Sequence, residues 1–136
     1  METILFLDLD NTIFRTARRA KGDLGNPIAY DASGSPISYM SDKQSAILCQ
    51  IRNGARVIPV TARTTATLKL VDIQFDDYAI CSYGGAILSA DGNPDIAWNS
   101  KIKKQSQENY PRLLEIKKQV EAKSTHISGN IETRIK

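Results

Sequence analysis

The chain has 136 residues, 41% of them apolar and 24% charged, which suits one folded domain and is too apolar for a disordered segment. No apolar run approaches the roughly 18 residues of a membrane span and no basic-then-apolar leader opens it, so membrane, secreted and collagen-like classes are excluded as expectations. The net charge of +3 is unevenly spread: residues 1–100 hold nine Lys/Arg against eleven Asp/Glu, whereas residues 101–136 hold nine against four.

In chain order, Thr3 to Leu7 is a short apolar run ending at Asp8, the pattern of a strand buried on both faces in a parallel sheet. Residues 11–40 are rich in Gly and Pro and read as loop, with a small hairpin of Ile28-Ala29-Tyr30 and Ile37-Ser38-Tyr39 lying outside the core. Ser41 followed by Gln44 is a capping box that starts a helix. Ala46, Ile47, Ile51 and Cys49 are expected to face inward, and Asn53-Gly54 to close the helix in left-handed conformation. Ala55 to Val60 reads as a second buried strand, Thr64 to Leu70 as a short helix, and Tyr78 to Ser82 as a third strand. Asp91-Gly92 predicts a hairpin turn toward Ile96-Ala97-Trp98. A helix follows from Lys101 to Lys123, with a break expected at Pro111, and the alternation from His126 to Lys136 reads as the start of another strand.

Strand, helix, strand, helix, strand at the front of a chain predicts an α/β fold with parallel neighbours. Ligands of such sheets bind beyond the carboxyl ends of the strands, which here carry Asp8 and Asp10, then Thr61, then Ser82. Alternate residues of an extended strand share a face, so Asp8 and Asp10 point the same way. Two adjacent carboxylates repel unless a cation is shared, and a hard divalent ion such as Mg²⁺ suits oxygen donors. Amides around Asn11 and Thr12 are candidates for cradling an anion. A nucleophilic carboxylate, a second carboxylate for proton transfer and a metal form a set suited to phosphoryl transfer. The competing reading is a pair of strand-end aspartates that cap the next turn.

Phe6-Leu7-Asp8-Leu9-Asp10-Asn11-Thr12-Ile13 resembles motif I of the haloacid dehalogenase (HAD) superfamily, whose phosphatases carry Asp-x-Asp-x-Thr. Val57 to Arg63, with Thr61 closing the strand, resembles motif II, and Ile80 to Ile87 is similar to the Ser-Asn-Gly-Ala turn of the Cof-type and sucrose-phosphatase-like branch. The resemblance covers residues 3–98 and implies a Rossmann-like parallel sheet followed, from residue 99, by the start of an α/β cap. It implies that Asp8 is the nucleophile, that Asp10 is the general acid and base, and that Asp8 with the main-chain carbonyl of Asp10 binds Mg²⁺. It further implies that Asn11, Thr12, Thr61 and Ala62 bind phosphate and that Arg63 orients loops or substrate. The implied activity is hydrolysis of a small phosphorylated metabolite, a sugar phosphate, through an aspartyl-phosphate.

The sequence departs from the family pattern. Asn11 and Ala62 stand where Gly is commoner, Tyr83 where the branch has Asn, and Gly85 where it has Ala. The motif III lysine and motif IV carboxylates have no counterpart: Asp76-Asp77 precede the third strand, and Lys101, Lys103 and Lys104 read as a solvated run. The chain is therefore expected to stop inside its cap and to be inactive alone. Two rivals stand beside the phosphatase: a degenerate domain binding phosphate or a partner without turnover, and a nucleic-acid-binding module using the basic last quarter. The second is disfavoured because acidic residues interleave the basic ones. Arg15, Arg18, Arg19 and Lys21 read as a solvated loop, His126 as a surface residue, and Trp98 as packing. Cys49 and Cys81 lack metal or redox spacing, which points to a reducing, cytoplasmic setting.

Overall fold

The computed structural model describes residues 2–20, 22, 24–75 and 77–124. The elements run β1 (Ile4–Leu7), β2 (Arg15–Thr16), a 3-10 turn (Ala17–Arg19), β3 (Asn26–Tyr30), β4 (Pro36–Met40) and α1 (Asp42–Gly54), then β5 (Arg56–Pro59), α2 (Thr65–Leu68), β6 (Ala79–Cys81), a second 3-10 turn (Ser82–Gly84), β7 (Ala86–Leu88) and α3 (Ile96–Ser124). The chain is a mixed α/β protein: β1 and β5 form a two-stranded parallel sheet, β2-β4-β3 an antiparallel sheet, and β6-β7 an antiparallel pair. It divides into two compact units, 1–99 and 100–136.

Leu5 lies opposite Val57 and Leu7 opposite Pro59, and the Val60 amide continues that ladder by donating to the Leu7 carbonyl at 2.9 Å. A parallel bridge then joins Val60 to Ile80, which brings β6 beside β5. The carboxyl ends of β1, β5 and β6 therefore lie along one edge. Leu9, Phe14, Ala29 and Cys81 have no solvent exposure and form the centre of the core with Ile13, Leu48, Leu68, Val71 and Leu88. Burying one such Leu or Phe side chain contributes roughly 1.5–3 kcal/mol.

Several expectations change. β1 is covered on one face only: Ile4 and Phe6 are 49% and 61% exposed, and among the described residues β5 is its sole ladder partner. The β3-β4 hairpin is a core element, because Ile28, Ala29 and Ser38 are buried and the backbone of 70–72 bonds to Ile28 and Tyr30. Arg15 and Thr16 leave the expected loop to pair with Tyr39 and Ser38. On α1 the Ser41–Gln44 capping box forms, yet Leu48 is the buried residue while Ala46, Ile47 and Cys49 are exposed. Gly54 ends α1 without left-handed backbone, since the chain turns at Ala55 with φ −152°.

The Asp91-Gly92 turn forms, with Gly92 at φ 76° and a bridge between Leu88 and Pro94, but Ile96-Ala97-Trp98 are helical. Asp95 explains this: its carboxylate accepts the Trp98 amide at 2.7 Å, an N-cap bond that starts α3 five residues before Lys101. The indole of Trp98 is half-buried and donates to the Gly84 carbonyl at 2.9 Å. Pro111 lies inside α3 and does not divide it. In the second unit, Lys103, Lys104 and Lys118 are exposed, and Lys104–Glu108 and Lys117–Glu121 pair one turn apart. The strand expected from His126 to Lys136 lies outside the described residues, as do Lys21 and Asp76. No helix among the described residues is long and apolar enough to cross a membrane.

Candidate functional site

The site begins where β1 ends. Fully buried Leu9 is flanked by exposed Asp8 and half-buried Asp10, so the in–out alternation of the strand carries both carboxylates outward. The chain then turns tightly. The amides of Thr12, Ile13 and Phe14 all converge on the Leu9 carbonyl at 3.0–3.4 Å, and the Asn11 amide donates to the Phe14 carbonyl at 2.7 Å. Asn11 takes φ 66°, a left-handed conformation that Asn tolerates better than other side-chain-bearing residues. The Asn11 and Thr12 amides thus close the turn rather than stand open, and the anion cradle expected from them is not formed in this state.

The two carboxylates have separate partners. The Thr12 hydroxyl donates to Asp8 Oδ2 at 2.7 Å. Arg63 donates from Nε to Asp10 Oδ2 and from Nη2 to Asp10 Oδ1, both at 2.8 Å, a bidentate fork on the carboxylate.

Thr61 and Arg63 reach the site from β5. Thr61 is 3% exposed, its amide donates to the Ile80 carbonyl at 2.9 Å, and its hydroxyl oxygen accepts the Arg63 amide at 3.1 Å. Ala62 between them is exposed. The Ser82 amide donates to the Arg63 carbonyl at 2.8 Å and the Tyr83 amide to the Thr61 carbonyl at 3.3 Å, fastening the end of β6 to this loop. Ser82 and Tyr83 take φ 53° and 57°, left-handed backbone in non-glycine residues, and the Tyr83 ring is 82% exposed. Such backbone costs about 1–2 kcal/mol per residue.

The structure therefore brings Asp8 to Thr12, Asp10 to Arg63, and Arg63 to Thr61. Sequence reasoning missed Phe14, which is fully buried and lies under the Arg63 guanidinium, 5.2 Å from ring centroid to Cζ. It also missed the Thr67 carbonyl, which accepts from Arg63 Nη1 at 3.5 Å. Phe14 was legible only as an apolar residue after a turn.

As a metal site, Asp8 and the Asp10 carbonyl are hard oxygen donors of the kind Mg²⁺ takes, and Mg²⁺ commonly draws its remaining ligands from water and substrate phosphate. Asp10's carboxylate is committed to Arg63, so Asp8 is the anionic donor left for a cation. Among the described residues no group of three or more His, Cys, Asp or Glu could hold a metal ion. The set fits an ion completed by substrate oxygens and is not a closed protein cage. Compared with models of known protein families and with curated proteins, the chain matches none.

Proposed function

We propose that this chain carries the phosphate-handling part of a Mg²⁺-dependent phosphatase of HAD type, acting on a small phosphorylated metabolite such as a sugar phosphate. The observation that supports it is the placement of Asp8 and Thr61 on adjoining carboxyl ends of parallel neighbours, with Asp10 two residues beyond Asp8. On this reading the core is a Rossmann-like sheet and α3 opens a cap. Asp8 attacks phosphorus, the bond from phosphorus to the leaving oxygen breaks, and an aspartyl-phosphate forms. Asp10 delivers the proton to that oxygen and then takes one from the water that hydrolyses the intermediate. Thr61 donates its hydroxyl to a phosphoryl oxygen. Asp8 and the Asp10 carbonyl would hold Mg²⁺, which would supply neutralisation of phosphoryl charge.

The test is hydrolysis of an aryl phosphate by the purified chain with and without Mg²⁺. Turnover that needs Mg²⁺ and disappears in Asp8→Asn supports the phosphatase and overturns the expectation that the chain is inactive alone.

A second reading is phosphate or partner binding without turnover. The bidentate hold of Arg63 on Asp10 favours it, because an acid or base needs a free carboxyl oxygen. Phosphate binding with no hydrolysis supports this reading.

A further inference from the structure

The ion pair between Arg63 and Asp10 joins two unequal partners. The Arg63 side chain is only 12% exposed and is fixed on every side. Its guanidinium stacks on the buried Phe14 ring, Nη1 reaches the Thr67 carbonyl, its amide donates to Thr61 and its carbonyl accepts from Ser82. The Asp10 side chain is 40% exposed and, of these bonds, makes only the two to Arg63. In any parting of the pair, therefore, Asp10 moves and Arg63 stays.

The fork that Asp10 occupies is the Nε–Nη2 edge of the guanidinium, two parallel donors matched to the spacing of two oxygens on one carboxylate or phosphate. The loop that carries it starts at Thr61, whose hydroxyl oxygen accepts the Arg63 main-chain amide.

We propose that the Arg63 fork is an oxyanion-binding site, and that Asp10 fills it in the resting chain as an internal stand-in for a phosphate monoester or inorganic phosphate. A dianion arriving beside Thr61 exchanges for the Asp10 carboxylate. The guanidinium loses no hydrogen bonds in this exchange, because two oxygens of the newcomer replace two of Asp10. Displaced Asp10 then has both oxygens released from the guanidinium and available for proton transfer. One contact thus keeps the acid–base group engaged until the anion is present. Phosphate as the ligand rests on the function proposed above, but the occupied fork does not depend on turnover.

The experiment is calorimetric titration of inorganic phosphate into the full chain, wild type and variants, with circular dichroism confirming that each is folded. Asp10→Asn, and Asp10→Ser as a shorter replacement, release the fork and are expected to tighten phosphate binding about tenfold or more. The gain is expected to vanish in Asp10→Asn combined with Arg63→Gln. Asp8→Asn, which removes the same charge nearby without freeing the fork, is expected to give a smaller gain. Equal affinity in wild type and both Asp10 variants overturns the proposal, as does a gain that survives Arg63→Gln or one that Asp8→Asn reproduces in full. Tighter phosphate binding in the Asp10 variants supports the fork whether or not the wild-type chain hydrolyses an aryl phosphate, so the two readings fail separately.

Discussion

The Thr12 hydroxyl donates to Asp8 Oδ2 at 2.7 Å, across one turn that begins at the buried Leu9. This bond fixes one oxygen of the proposed nucleophile and leaves the carboxylate exposed. Thr12→Val keeps the shape and removes the donor. With a charge-assisted bond lost at a partly solvated site, any Mg²⁺-dependent turnover of an aryl phosphate that the wild-type chain shows is expected to fall about fivefold to tenfold, with little change in the melting temperature. Steady-state kinetics beside a thermal melt check this, and an unchanged kcat contradicts it.

Leu9 is the hinge of the same motif. It has no exposure and its carbonyl accepts three amides of the turn. Leu9→Ala leaves a cavity against Phe14 and Ile13 and is expected to cost about 2–5 kcal/mol. Urea unfolding of the two proteins gives the difference directly. A loss under about 1 kcal/mol would show that the core collapses around the smaller residue.

Two loop carboxylates contribute to the pH dependence of stability in acid. The Ser33 hydroxyl, with the amides of Ser35 and Ser33, holds the Asp31 carboxyl below its ordinary value of 3.8; the Ser89 hydroxyl and Asn93 do the same for Asp91. The unfolded chain binds these protons more readily, so their contribution is complete above about pH 4 and is lost as pH falls through the lower folded values. Melting temperature is expected to decline below about pH 4, and less steeply in Asp31→Asn. Equal slopes in both proteins would remove Asp31 from this account.

The two thiols divide by burial. Cys49 is exposed on α1, whereas Cys81 is fully buried and burial pushes its thiol up. One equivalent of an aromatic disulfide reagent is expected to react with the native chain, and the second only after unfolding. Cys49→Ser is expected to abolish the native reaction; rapid labelling that persists would place Cys81 within reach of solvent.

What was legible in the sequence is what local chemistry decides. The capping box at Ser41–Gln44 and the turn at Asp91-Gly92 each depend on a few neighbouring residues, and each forms. The start of α3 was equally local, but the Asp95 cap was overlooked because Asp91-Gly92 drew the reading toward a hairpin. Burial depends on what distant segments cover, so Phe6 was taken as buried and is exposed, and Leu48 proved to be the inward residue of α1. At the site, Asp8, Asp10 and Thr61 could be nominated by their places at strand ends, and Arg63 only through the family resemblance. That Arg63 grips Asp10 could not, because the two are 53 residues apart and meet only through the register of β1 on β5.

Phe14 belongs to the interior and to the site at once. Its ring is sealed from solvent and bears the Arg63 guanidinium, and its carbonyl receives the Asn11 amide that closes the turn after Asp10. The polar groups at the strand ends therefore take their stiffness from an aromatic side chain buried beneath them. A substitution scan of this chain should show sensitivity to ligand at an apolar position beneath the surface, and repacking around that ring should retune the fork even when every charged residue is left in place.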